Sequence, residues 1–148
     1  MQTATSSNTV SALNTLLRGE LAATETYQQA LAKVGDQPGV EDLRKIHVEH
    51  REAANQLRQY VHHFGGQPDQ GSGAWGAFAK TIEGTAKVFG KTAALKALKE
   101  GEELGLSSYD NALQNAELPA ECKWLINSQL VPQTKAHITT LERLMEKA

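Results

Sequence analysis

Two carboxylates and three imidazoles stand at positions of the sequence where helix periodicity calls for apolar residues. They are Glu20, His47, His50, Glu102 and His137. Burying an unpaired carboxylate is strongly unfavourable, so these side chains are expected to have partners inside the protein. Glu and His residues that converge from several helices in a bundle interior form a common kind of metal site. The positions predict a metal site with Glu20, His50, Glu102 and His137 as ligands and His47 as a fifth.

Four segments would position these side chains, because each has apolar residues three or four positions apart, which gives a helix one buried face. The segments run over residues 10–34, 40–64, 95–112 and 127–144, and the inward face of the last one is predicted to begin with Asn127. The connection at 35–39 is short, which favours antiparallel packing of the first two helices. A long connection separates them from the last two. The chain is therefore predicted to form two helical hairpins, an all-α four-helix bundle.

Single residues mark the expected helix ends. Asn8 suits the N-cap of the first helix, and Pro119 suits the first turn of the fourth. Pro132 lies five residues before His137 and should kink or delay that helix, because proline removes a backbone hydrogen bond.

A short internal repeat relates the two predicted hairpins. An offset of 82 residues superposes the first and third segments, and an offset of 87 superposes the second and fourth. The polar residues that repeat are Glu20 with Glu102, Tyr27 with Tyr109, and His50 with His137. Each half thus supplies an inward Glu, a Tyr two turns later and an inward His. A pseudo-two-fold axis would bring the two sets together.

The same residues allow an interpretation without a metal. Glu20 with His50 and Glu102 with His137 would then be two buried, hydrogen-bonded acid–imidazole pairs. The protein would in that case be a helical bundle with a structural or interaction role.

Composition narrows the class of protein. The chain has 148 residues, with 15 basic and 17 acidic ones and a net charge of −2, which argues against a non-specific nucleic-acid-binding protein. No apolar run approaches the roughly 20 residues that cross a bilayer, and Met1 to Asn8 does not have the features of a secretory signal. Cys122 is the only cysteine, which fits a reducing cytoplasm. We expect a disordered tail over 1–8 and one cytoplasmic domain over 9–148.

A resemblance to a known family rests on motifs spread over residues 8–147. They are Leu13 to Glu20, His47-x-x-His50, Phe64-Gly65-Gly66-Gln67-Pro68, Gly101-Glu102-Glu103 with Tyr109, and His137. The pattern resembles the ferritin-like superfamily and, more closely, a bacterial four-helix-bundle family of unknown function. The resemblance implies a ferritin-like antiparallel four-helix bundle with a short crossover helix between helices two and three.

Two departures from the ferritin-like pattern change the expected chemistry. That pattern has Glu-x-x-His on helices two and four, and the Glu of each motif bridges two metals. In this chain His47 and Thr134 stand in place of these two Glu residues. Two carboxylates balance one divalent ion, whereas a second ion would leave about two uncompensated positive charges in the core. We therefore expect one ion, iron or zinc, and weak or no ferroxidase activity. If the protein is an enzyme, it should reduce oxygen or peroxide at bound iron.

Several other residues are candidates for a supporting role around the site. Glu49, Glu103 and Gln133 are near enough along the helices to swing in and compensate charge. Tyr27 and Tyr109 would be hydrogen-bond donors behind the ligands, electron relays, or simply core aromatics with satisfied hydroxyls.

A shorter amphipathic segment follows the glycine-rich stretch at 65–73. It places Trp75, Phe78, Ile82 and Phe89 on one side. We expect this segment to be the crossover helix, packed along the bundle. The alternatives are contact with a protein partner, with a second copy, or with a membrane surface. We expect the protein to be a homodimer. Glu83 and the small charge excess weaken the membrane alternative.

Overall fold

The structure is a computed structural model that describes residues 4–34, 38–71 and 91–147, and these residues contain helices and no strand. The first three helices are α1 (Ala4–Val34), α2 (Val40–His63) and α3 (Lys91–Leu113). Three consecutive helical pieces, here together called the fourth helix, are α4 (Ala120–Leu125), a π-helical turn (Ile126–Leu130) and α5 (Val131–Lys147).

The helices pack in pairs, α1 on α2 and α3 on α5. Two hydrogen bonds at opposite ends of the molecule show how they run. Lys91 Nζ donates to the Pro38 carbonyl over 2.7 Å, so α3 starts beside the start of α2. Asn8 Nδ2 donates to Glu117 Oε2 over 2.7 Å, so the beginning of α1 lies beside the segment that follows α3. The described helices thus form a helical bundle in which α1 and α3 run in opposite directions.

The buried apolar residues form two clusters. One lies toward the start of α1 and includes Leu13, Leu17, Leu57, Val61 and Leu130. The other includes Leu43, Ile46, Leu95, Leu98 and Leu141. On each of the four helices a buried polar residue lies between the two clusters along the chain. These residues are Glu20, His50, Glu102 and His137.

The first helix begins earlier than the sequence predicted. It starts at Ala4, so residues 4–8 are helical rather than a tail, and Asn8 is inside the helix rather than its N-cap. Thr9 is 2% exposed, and the Asn8 side chain is bonded to Glu117. This part of α1 thus contacts the segment after α3, a tertiary interaction that local helix signals do not report.

The Gly-Gly pair after α2 has a structural reason. Gly65 has a φ of 80°, and its N–H donates to the His62 carbonyl. The Gly66 N–H donates to the Val61 carbonyl over 2.9 Å, and the two bonds together form a Schellman motif that ends the helix. A Cβ on Gly66 would approach both methyl groups of Val10 closer than 3.0 Å. Both glycines are thus required for the chain to turn back onto α1.

The fourth helix contains a π-helical turn that the sequence did not reveal. The Val131 N–H donates to the carbonyl of Ile126, five residues earlier. Pro132 has no N–H, so the turn before it lacks one α-helical bond in any case. The wider turn shifts the buried face: Ile126 and Leu130 are buried, and Asn127, which was predicted to face inward, is exposed. Pro132 neither ends nor begins the helix but follows this turn.

Some predictions fall outside the described residues. The crossover segment with Trp75, Phe78, Ile82 and Phe89 is among them, as are residues 1–3 of the expected tail. Among the described helices, none combines the length and the apolar character needed to cross a membrane.

Candidate metal centre

His50 lies between two carboxylates from different helices. Its Nδ1 is 2.6 Å from Glu20 Oε2 on α1, and its Nε2 is 2.5 Å from Glu102 Oε1 on α3. All three side chains are buried. Carboxylate oxygens accept hydrogen bonds, so the imidazole donates from both nitrogens. Without an ion, His50 is therefore an imidazolium that joins α1, α2 and α3.

His137 extends this arrangement to the fourth helix. Its Nδ1 is 3.1 and 3.4 Å from the two carboxylate oxygens of Glu102. Its Nε2 is 2.9 Å from Glu49 Oε1 on α2, whose side chain is 28% exposed. The rings of His50 and His137 lie 4.8 Å apart. Carboxylates and imidazoles thus alternate from Glu20 in the core to Glu49 at the surface.

The two tyrosines bind the carboxylates crosswise. Tyr27 on α1 donates from its hydroxyl to Glu102 Oε1 on α3 over 3.0 Å. Tyr109 on α3 donates to Glu20 Oε1 on α1. On one helix Glu and Tyr are seven residues apart, about 10.5 Å, and cannot meet. They meet across the bundle because α1 and α3 run in opposite directions, as the internal repeat requires.

Burial and charge act in opposite directions on the acid–imidazole pair. Burial alone would lower the pKa of His50, but the charges of Glu102 and Glu20 outweigh it and hold this pKa well above 6.5. Burial alone would raise the pKa of Glu102, but the His50 charge and the hydrogen bonds from His137 and His50 lower it to about 2. Glu102 is therefore ionised and His50 protonated at neutral pH.

The tyrosine hydroxyls remain donors across the physiological pH range. Burial, followed by the charge of Glu102, raises the pKa of Tyr27 well above 10. Burial and the charge of Glu20 do the same for the pKa of Tyr109. Neutral phenols hydrogen-bonded to buried carboxylates fix the carboxylate orientation without adding charge.

The donor set and its spacing suit a transition-metal ion. Nitrogen or oxygen atoms of His50, Glu102 and His137 all lie within 4.8 Å of one another. Ligand bonds of about 2.0–2.2 Å place two ligand atoms of a tetrahedral ion about 3.4 Å apart. The 3.1 and 3.4 Å contacts of His137 with Glu102 match this spacing. The 2.5 Å contact of His50 with Glu102 is shorter, so the hydrogen bond must open by about 0.9 Å and lose its proton.

The structure does not bring His47 into this cluster. Three positions along a helix turn a side chain by about 60° from His50, and Glu49 already marks the flank of α2 that faces the fourth helix. His47 is on the other flank and half-buried, and among the described residues its Nε2 has no hydrogen-bond partner. Burial, then the charges of Arg51 and His50, lower its pKa.

Three of the five predicted supporting residues lie in the cluster and two do not. Glu49, Tyr27 and Tyr109 all bond directly to members of the cluster. Glu103 is exposed, and Gln133 is half-buried on the fourth helix. Neither takes part in the hydrogen bonds of the cluster within the described part of the chain. The sequence did not predict the contact between His50 and Glu102, which joins the two halves of the repeat.

A cavity of about 40 Å³ lies between α1 and α3 beside the cluster. Small residues line it, including Gly19, Ala23, Gly101 and Gly105, together with the tyrosines and carboxylates of the cluster. A water needs about 10–15 Å³ by the same measure. The cavity therefore accommodates two or three water-sized ligand atoms next to the candidate ligands.

Comparison with known protein families gives one match. The family model described as Domain of unknown function (DUF2383) matches residues 8–115. The chain belongs to this family. The DUF2383 match includes Glu20, His50 and Glu102 and stops before His137. No curated protein and no solved structure matches the chain.

Proposed function

We propose that this DUF2383 protein binds one divalent transition-metal ion, iron or zinc, at the Glu/His cluster of its bundle core. The observation that carries the proposal is the buried group of His50, Glu102 and His137, whose ligand atoms lie within 4.8 Å of one another. Three helices supply these residues, so the fold itself holds the donors together. Imidazole and carboxylate are ligands that both ions accept.

Charge supports a single ion. The buried carboxylates of Glu20 and Glu102 supply two negative charges, and one divalent ion balances them once His50 and His137 have each given up the proton that faces Glu102. Thr134, at the position where a bridging carboxylate would be needed for a second ion, is buried and bonds to the Leu130 carbonyl.

The same proposal includes a ferritin-like arrangement of the bundle. The opposite directions of α1 and α3, and the start of α3 beside the start of α2, support two hairpins joined by a long crossover. The crosswise bonds of Tyr27 and Tyr109 support a pseudo-two-fold axis through the site. We also propose a role in redox or stress chemistry; the cavity beside the cluster has room for a small ligand such as oxygen or peroxide, which supports the redox part.

The chain's own residues would prepare the site for its ion. Bound iron would supply one-electron chemistry toward oxygen or peroxide, and bound zinc would supply a Lewis acid. Tyr27 holds the Glu102 carboxylate, and Glu49 holds the His137 ring. The two apolar clusters on either side lower the local dielectric constant, which strengthens the electrostatic interactions within the cluster.

Metal content of the untagged protein tests the proposal. Protein loaded anaerobically with iron or zinc should retain about one ion per chain by elemental analysis. Glu102→Ala and His137→Ala should lose it, whereas the exposed controls Glu103→Ala and His62→Ala should keep it. No retained metal in the wild type, or equal retention in all four variants, would contradict a metal site in this cluster.

A metal-free bundle with a structural or interaction role is the second candidate. Both nitrogens of His50 already bond to carboxylates at 2.6 and 2.5 Å, which satisfies the buried charges without an ion. In this case a chelator should leave the thermal stability unchanged. In the metal-bound case, removing the ion should lower it.

A further inference from the structure

The three acidic residues of the cluster differ in the histidine atoms that they contact. Glu102 reaches both imidazoles, at His50 Nε2 and His137 Nδ1. Glu20 contacts only the opposite nitrogen of His50, Nδ1. Glu49 contacts only the opposite nitrogen of His137, Nε2. Each imidazole thus points one nitrogen at the shared carboxylate and the other at a carboxylate of its own.

This pattern matches the way proteins orient metal-bound histidines. A histidine that binds a metal through one nitrogen usually donates the N–H of the other to a carboxylate, which fixes the tautomer and the ring plane. The two nitrogens of an imidazole point in diverging directions. An ion on His50 Nε2 therefore lies on the side of the ring away from Glu20. An ion on His137 Nδ1 lies on the side away from Glu49.

We propose that the metal site has two histidines and one carboxylate, namely His50 Nε2, His137 Nδ1 and Glu102, and that Glu20 and Glu49 are positioning residues. This assignment rests on the proposed metal-binding function and specifies its ligands. Glu20 is then not a direct ligand, although the sequence pattern assigned it that role. Three protein ligands leave coordination positions open to a small exogenous ligand, as in catalytic zinc sites and in non-haem iron sites with two histidines and one carboxylate.

The crosswise tyrosine bonds agree with this division of roles. Tyr109 and His50 occupy one oxygen each of Glu20, so both oxygens of Glu20 have protein donors. Glu102 Oε1 accepts from Tyr27, His50 and His137 at 2.5–3.1 Å, whereas Oε2 has only the 3.4 Å contact with His137. The donors therefore converge on one atom of Glu102, and an ion placed there would replace two protons, those of His50 Nε2 and His137 Nδ1.

Cobalt binding tests the assignment, because the visible spectrum of Co²⁺ reports its coordination. Metal-free, untagged protein is titrated with Co²⁺, followed by competition with Zn²⁺, for the wild type and for variants that change one carboxylate each. Glu102→Gln should weaken binding at least 100-fold. Glu20→Gln and Glu49→Gln should weaken it 10–100-fold and keep the wild-type spectrum. Glu103→Gln, one residue from Glu102 but exposed, should bind like the wild type.

The cobalt titration distinguishes a wrong ligand assignment from the absence of a metal site. If Glu20→Gln loses binding as completely as Glu102→Gln and its residual spectrum changes, Glu20 is a direct ligand and the assignment is wrong. Unchanged affinity in both Glu20→Gln and Glu49→Gln would also overturn it. A wild type that binds neither Co²⁺ nor Zn²⁺ would instead overturn the proposed function itself. Circular dichroism checks the fold of each variant. If Glu20→Gln is unfolded, Glu49→Gln, which changes a partly exposed side chain, decides whether the carboxylates behind the histidines act as positioning residues.

Discussion

Lowering the pH from 7 to 3 should destabilise the metal-free protein through Glu102 in particular. The pKa of this carboxyl is about 2 in the folded protein, against an ordinary value of 4.5. A group with a lowered folded pKa contributes stability above its unfolded pKa, and this stability is lost as the pH falls through the folded pKa. The difference of about 2.5 pH units corresponds to roughly 3 kcal/mol. About 2 kcal/mol of this should be gone at pH 3.

Urea unfolding in the presence of a chelator measures the effect, with circular dichroism at pH 7, 5, 4 and 3. Every carboxylate contributes to acid sensitivity, so the informative quantity is the difference in free energy of unfolding between the wild type and Glu102→Gln. Below about pH 5.5 His50 is protonated in both the folded and the unfolded state and adds no pH dependence. Between pH 7 and 5.5 the histidine titrates only in the unfolded state, which is the same in the wild type and in Glu102→Gln, so this titration cancels in the difference. The difference should shrink by about 2 kcal/mol between pH 7 and 3.

Glu103→Gln, which removes an exposed carboxylate from the same helix, should stay parallel to the wild type over the whole range. A wild-type minus Glu102→Gln difference that remains constant from pH 7 to 3 would show that Glu102 titrates normally. The inference that Glu102 and His50 form a buried ion pair would then be wrong.

Further predictions concern other parts of the cluster and one helix end. The raised pKa of His50 means that the protonated imidazole stabilises the fold fully below about pH 6.5, and that this stabilisation is lost as the pH rises toward the folded pKa. The difference in free energy of unfolding between the wild type and His50→Gln should therefore become smaller from pH 7 to 10. A constant difference would refute this. Tyr27→Phe and Tyr109→Phe should each lower the free energy of unfolding by about 1.5–3 kcal/mol, because each removes a donor from a buried carboxylate; changes below about 0.5 kcal/mol by urea unfolding would contradict the crosswise bonds. Gly66→Ala should cost about 1–3 kcal/mol through its clash with Val10, and Gly66→Ala combined with Val10→Ala should recover part of this in thermal melts; no loss in the single variant would show that the contact is not tight.

The helical periodicity was sufficient to find the members of the cluster. Residues three or four apart share a helix face, so an inward Glu or His is visible as a polar residue in an apolar series. The structure buries Glu20, His50, Glu102 and His137 between the two apolar clusters. The repeat added the information that the two halves present the same residue types to a common centre.

The wrong predictions concern local helix geometry and tertiary contacts, which helical periodicity does not describe. The π-helical turn inserts an extra residue into one turn, so Asn127 was placed on the buried face although it is exposed. His47 and His50 were treated as one face, but a rotation of about 60° is enough to separate a buried position from a half-buried one. The early start of α1 was also missed, and the Asn8 side chain there bonds to Glu117, which is distant in sequence.

Protons and a divalent ion are alternative ways to balance the carboxylates that the helices bring together. Two buried carboxylates without positive charge would be strongly destabilising, so the fold requires one or the other. The proton on His50 Nε2 lies where an ion would bind Glu102, at a 2.5 Å contact. Binding must therefore release this proton, and metal affinity must increase with pH. The two candidate functions differ in which cation occupies this position at the pH of the cell. A metal-loading experiment at acidic pH would favour the proton and miss a genuine site, so loading belongs at pH 7–8, with a second measurement near pH 6 to show the competition.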